Sequence, residues 1–114
     1  MILRIWHGWT SPADADAYQR LLDGEIVPGI LARRIPGLHH VEILRRRDQD
    51  GAEVEFVTVM TFDDWAAVEA FAGPGGTTSV VPTAARRLLR RFDEHSQHYD
   101  RVGAHGASAP PEPL

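Results

Sequence analysis

The chain has 114 residues, of which 43% are hydrophobic and 25% charged, with a formal net charge of −4, the profile of one globular domain. It contains no cysteine, and all 12 basic residues are arginines, which excludes disulfides, thiolate nucleophiles, cysteine-type metal sites and lysine Schiff bases. The acidic balance argues against nucleic acid as a partner and no apolar run reaches the ~20 residues of a membrane span; with no signal-peptide pattern in MILRIWHGW, the expected address is the cytoplasm.

Residues 2–9 alternate, with Leu3, Ile5, His7 and Trp9 on one face and Ile2, Arg4, Trp6 and Gly8 on the other. This is the period of a β-strand, and large side chains on both faces imply a strand covered on both sides. TSPADAD then starts a helix, with Ser11 as N-cap and Pro12 at the first helical position. Tyr18, Leu21, Leu22 and Ile26 recur at helical spacing, while Gly24 and Pro28 predict a kink or restart near 27–29. LHHVEILRRR and EVEFVTVMTF read as two strands of a hairpin around DQDG. Asp63 is expected to cap a short helix, DWAAVEAFAG, ending at Gly73. GPGG at 73–76 is a hinge or lid loop, too poor a match for a phosphate cradle.

VVPTAARRLLRRF predicts a third helix with Leu88, Leu89 and Phe92 facing inward, and DEHSQHYDRV a final strand. The arginines of RRR at 45–47 and of RRLLRR at 86–91 read as solvated faces or subunit contacts. From Gly103 onward the chain has no core-forming pattern, so the expected division is a domain over 1–102 and a disordered tail over 103–114.

The resulting order, β-α-β-β-α-α-β, is an α+β, ferredoxin-like split βαβ arrangement with a four-stranded antiparallel sheet in the order 4-1-3-2. One sheet face takes the helices. The other needs cover, which in so small a domain predicts a homodimer.

In this order the stretches RIWHGWT, EVEFVTVMTFDDWAAVEAFAG and VVPTAARRLLRRFDEHSQHYDRV resemble the antibiotic biosynthesis monooxygenase (ABM) family of dimeric α+β barrels. The resemblance covers about residues 1–101 and implies a ligand pocket between the sheet and the helices of each subunit. Members of that family include oxygenases that convert aromatic phenols to quinones without metal or flavin, haem-degrading proteins and proteins of signal-molecule turnover. The haem-degrading branch carries an asparagine on the first strand, a tryptophan ending the third and a histidine on a later helix. Ile5, Phe62 and the stretch 82–86 do not supply that set. The quinone-forming branch is matched in part, with Phe62 at the third strand's end, Trp65 three residues on, and Arg86 or Arg87 beyond.

With the Ile5 face toward the helices, His7 and Trp9 point into this pocket and Trp6 toward the dimer side. The parity of Phe62 brings Phe56, Thr58 and Met60 to the pocket face. An imidazole among apolar groups is biased toward its neutral form, ready to deprotonate a phenol whose ring then gives an electron to O₂. His7 is the expected base, with His98 approaching it across neighbouring strands. Trp9, Met60, Phe62 and Trp65 form an apolar wall for a planar ligand; Arg86, Arg87, Arg90 and Arg91 are helix-surface residues by default, with Arg86 the candidate to reach a ligand anion. The plainer reading makes the same residues ordinary core. His95 and His98 fall on opposite strand faces, as do His39 and His40, so no metal is expected; the resemblance to the metal- and flavin-free oxygenases implies no cofactor either. The expected function is a cofactor-independent, monooxygenase-like protein for a small aromatic or quinol-type molecule. The alternatives are a non-catalytic module binding a hydrophobic metabolite or serving a stress response, and an isomerase or cyclase of a biosynthetic pathway.

Overall fold

A computed structural model of the chain describes residues 1–47 and 51–107. The hairpin turn at 48–51 therefore lies largely outside the described residues, as does the end of the tail from 108 onward. Residues 103–107 are exposed and carry no regular structure.

Five strands form one antiparallel sheet: β1 Ile2–Thr10, β2 Leu38–Arg45, β3 Val54–Phe62, β4 Leu89–Phe92 and β5 Gln97–Asp100. Their order is β2-β3-β1-β4, with β5 also paired to β1. β4 pairs with the end of β1 from Gly8 to Thr10, and β5 with its start from Ile2 to Ile5. The expected order is thus found, with the fourth strand split into two segments along the same edge of β1.

The first helical stretch is continuous. Ser11 Oγ accepts from the Asp14 N–H at 3.2 Å, the expected capping bond, although the regular helix begins only at Ala15. α1, Ala15–Leu21, passes through a π-helical turn, Leu22–Ile26, into α2, Val27–Ala32. The wide turn is where Pro28 is accommodated: a proline ring crowds the carbonyl four residues back and donates no N–H, and widening the preceding turn relieves both. The sequence predicts a kink or restart near 27–29, and the regular α-helix restarts at Val27, one residue before the proline.

Helix α3 runs from Trp65 to Ala72. Its cap is Asp64, not Asp63: the Asp64 side chain accepts from the Ala67 N–H at 2.9 Å. Asp63 instead meets His39 Nε2 at 2.5 Å. The helix expected over 80–92 is also corrected. Only Thr83–Arg86 is helical (α4), and Leu89–Phe92 is strand β4. RRLLRRF satisfies a helical period, but the edge of β1 carries a row of unpaired backbone donors and acceptors. Pairing with that edge satisfies groups that an isolated helix would leave open. Leu88, Leu89 and Phe92 still face inward; Phe92 lies 6.0 Å from Trp6, ring centre to ring centre.

Two apolar clusters fill the space between sheet and helices. Phe62, Met60, Val68 and Phe71 centre one; Tyr18, Phe56, Leu22 and Ala85 centre the other. The opposite sheet face has no cover among the described residues. Among the described residues no helix is long and apolar enough to cross a membrane.

Candidate functional site

A cavity of about 60 Å³ draws its walls from both apolar clusters. Trp6, Thr58 and Met60 rise from the sheet, and Leu22, Ile26, Val27 and Ile30 descend from the first helical stretch. Phe71 of α3 and Val80, Val81 and Pro82 of the segment before α4 close the sides. It opens onto a groove of about 360 Å³ that shares Ile26, Ile30, Phe71, Val80 and Pro82 with it and adds Glu25 and Arg33 at the rim.

The face of β1 that lines this cavity is the reverse of the one expected. Trp6 pairs with Thr58 and Arg4 with Met60, and residues opposite one another in an antiparallel pair share a face. The even-numbered residues of β1 therefore look toward the helices. His7 pairs with Val57 and Trp9 with Glu55, on the uncovered face. The parity expected for β3 is found, so Phe56, Thr58, Met60 and Phe62 do face the helices. A choice of face that is off by one residue inverts every side chain of a strand.

Trp6 holds the cavity wall in place. Its Nε1–H lies 3.0 Å from both Ser79 Oγ and the Asp93 carbonyl, tying β1 to the segment leading to α4 and to the end of β4. Gly8 makes room for the ring: a Cβ there would stand 2.8 Å from Trp6 and 2.9 Å from Leu89. This explains the glycine two places after Trp6 on the same face.

The cavity's polar residues include Arg4, only 3% exposed, and Ser96, 5% exposed. Arg4 Nη2 donates to the Thr78 carbonyl at 2.9 Å, and Nη1 donates to the Gly76 carbonyl. Nη1 also lies 3.1 Å from Nε2 of His98, and the guanidinium sits 5.4 Å from the centre of the Phe71 ring. No acidic side chain among the described residues pairs with Arg4. Burial pushes its pKa down to about 10. Desolvation, and secondarily the Arg4 charge, lower the His98 pKa, so its imidazole is neutral near pH 7. Ser96 Oγ is buried with no hydrogen-bond partner among the described residues.

Of the residues singled out from sequence, Thr58 and Met60 line the cavity. Phe56 and Phe62 face the same way but are packed in the two clusters. Trp65 is 38% exposed and meets the His98 ring edge-on at 4.8 Å. Arg86 donates to the Val81 carbonyl at 3.2 Å and lies over Phe92. His98 stands behind Arg4, within the helix-side layer, and pairs with Arg4 across the sheet; the expected approach to His7 does not occur.

His7 has a different setting. Its Nδ1 lies 2.6 Å from Asp93 Oδ2, its backbone N–H donates to the same oxygen, and its ring stacks on Trp9 at 6.0 Å. Arg91 covers the Trp9 ring at 3.8 Å and is held by Glu53. This assembly ties β4 to β1 on the uncovered face. Sequence reading missed Arg4, Trp6 and Ser96. Arg4 is the one cation in an otherwise apolar strand face, and that was the available signal.

No family model matches the sequence, and no curated protein is significantly similar to it. Solved structures do match its fold. A candidate antibiotic biosynthesis monooxygenase from Bacillus cereus superposes with a TM-score of 0.67 at 12% identity, over 93% of this chain and 97% of that one. A second such candidate, from Deinococcus radiodurans, gives 0.64 at 16% identity, over 96% of this chain and 100% of the other. SnoaB, a cofactor-independent oxygenase from Streptomyces nogalater, gives 0.50 at 24% identity, over 97% and 98% of the two chains. The chain has the antibiotic biosynthesis monooxygenase fold.

Proposed function

We propose that the protein takes a compact aromatic phenol or quinol into the cavity between sheet and helices and oxygenates it without a bound cofactor. The observation that carries this reading is the cavity itself: apolar walls, a few polar groups and a mouth between α2 and the segment at 80–84. Together with its mouth groove of about 360 Å³, it reaches the size class of small-ligand sites, whose lower end is roughly 300 Å³. The oxygenase named among proteins of this fold supports the reaction type.

The chemistry needs no outside reductant. A phenol with a free para position loses its proton, and the electron-rich ring passes electrons to O₂. One oxygen atom becomes the second quinone oxygen and the other leaves as water, so the substrate supplies all four electrons. The residues lining the cavity include no carboxylate and no imidazole. Stabilisation of the phenolate by Arg4, with the proton passing to water at the cavity mouth, takes the place of a side-chain base, because a nearby positive charge lowers a phenol's pKa.

We further propose that a second copy of the chain covers the open sheet face, where Leu3, Ile5, Trp9, Val57 and Val59 remain partly exposed and Leu44 is 47% exposed. The oxygenase reading is tested by incubating the protein with a panel of phenols and hydroquinones in chelator-treated buffer. Oxygen uptake matched one-for-one by product formation, with one atom of labelled O₂ in the product and no hydrogen peroxide released, is the expected result. Tight binding without any uptake would leave a binding protein and discard the oxygenase.

A further inference from the structure

We propose that Arg4 and Ser96 form an anion subsite in the cavity, taking the ionised oxygen of a small planar ligand whose apolar body lies against Trp6, Met60 and Ile30. The ligand class is a singly charged aromatic, a phenolate or a carboxylate. This rests on the reading of the cavity as a small-molecule site and adds the charge of what enters it.

Two features on the same cavity wall, each unusual alone, have one common explanation. The first is a guanidinium 3% exposed with no acidic partner among the described residues. Buried charges are ordinarily paired, because desolvating an ion without a counter-charge is costly. The acceptors Arg4 does have are all neutral: the Gly76 and Thr78 carbonyls and His98 Nε2. Arginine offers five N–H donors, so two remain without an acceptor among the described residues. The second feature is Ser96 Oγ, buried without any hydrogen-bond partner among the described residues. Such hydroxyls are rare in folded proteins and mark a site where something else supplies the partner.

An oxygen anion in the cavity satisfies both. It accepts from the free Arg4 N–H groups and from the Ser96 hydroxyl, and it neutralises the buried charge. A phosphate does not fit, since its extra oxygens and second charge would need more donors than the largely apolar lining provides. A neutral carbonyl would leave the guanidinium uncompensated. If Arg4 served only to strap segment 76–78 to β1, Ser96 would have no part in it, and Ser96 therefore separates the two roles.

The experiment is calorimetric titration of the full chain, at about pH 8, with 4-nitrophenolate, benzoate and nitrobenzene, which share a ring and differ in charge and oxygen type. At least one anion should bind about tenfold or more tighter than nitrobenzene, the scale of a charge-assisted hydrogen bond. Preference for 4-nitrophenolate identifies a phenolate subsite, and preference for benzoate a carboxylate subsite. Ser96→Ala should weaken the preferred anion about fivefold, leave nitrobenzene unchanged and leave the melting temperature unchanged, because Ser96 Oγ makes no hydrogen bond among the described residues. Arg4→Gln should abolish the preference, and if that variant unfolds, Ser96→Ala decides alone. Equal binding of nitrobenzene and both anions, or an unaltered anion affinity in Ser96→Ala, would overturn the subsite while the cavity reading stands. No binding of any of the three at millimolar concentration would overturn both.

Discussion

Arg4 Nη1 lies 3.1 Å from His98 Nε2 across the β1–β5 pairing. Arginine has no acceptor, so Nε2 must accept and the proton of the neutral imidazole sits on Nδ1. Protonating His98 would set two cations against each other in a half-buried layer.

A pH dependence follows. Burial and Arg4 hold the His98 pKa below that of the free imidazole, so as pH falls through about 6.5 the unfolded chain takes up this proton before the folded one does. The stability in question is complete above that value and lost toward acid. Wild-type protein should therefore lose more melting temperature between about pH 7.5 and 5.5 than His98→Gln does. The carboxylates of Asp16 and Glu53, held low by Arg45 and Arg91, stay charged throughout this window. Equal losses in the two proteins would contradict the assignment.

The two tryptophans of the first strand should behave differently. Trp6→Phe removes the Nε1–H shared by Ser79 Oγ and the Asp93 carbonyl and should cost about 0.5–1.5 kcal/mol in denaturant unfolding, the net value of a hydrogen bond, since Ser79 Oγ still donates to that carbonyl. Trp9→Phe keeps the ring against Arg91 and should cost less. The reverse order would mean that the helix-side face of β1 has been assigned wrongly.

Much of this was legible in the sequence, and the failures share a cause. The alternation of EFVTVMTF gives its faces away because the bulky apolar Phe56, Met60 and Phe62 fall on one parity. On β1 both faces are large: Leu3, Ile5 and Trp9 against Ile2 and Trp6. Alternation then shows a strand and not which side is inside. That is settled by register, Ile2 opposite Phe62 and Trp6 opposite Thr58, which is a tertiary fact. The same holds at 89–92, where LRRF satisfies a helical period and the open edge of β1 decides for strand. Ser96 had no signal of its own, since its position depends on Ser96 N–H meeting the Thr77 carbonyl across the loop.

His7 now has a structural placement that predicts a specific result. Because its side chain lies on the uncovered face and reaches the cavity wall only through Asp93, which Trp6 shares, His7→Phe should change ligand affinity in the cavity by less than about fivefold, a modest coupling through one shared partner. It should instead loosen the β1–β4 contact, read as faster amide hydrogen exchange over 89–92. A loss of binding by tenfold or more, with the fold intact, would return His7 to the ligand site.

The open sheet face gives a test of association. In sedimentation at micromolar concentration the wild-type chain should be a dimer, and Val57→Glu, which places a charge on the open face beside Leu44 and next along β3 from Val59, should be a monomer. Identical behaviour of the two proteins would remove this face as the interface.

The most direct measurement is a methyl-resolved NMR titration with 4-nitrophenolate and benzoate, because the two sheet faces carry separate sets of methyl groups. The expected result is shifts at Ile26, Ile30, Met60 and Val81, which line the cavity, with Ile5, Val57 and Val59 unmoved. Shifts confined to Leu3, Ile5, Val57 and Val59 would contradict the placement of the ligand site between the sheet and the helices.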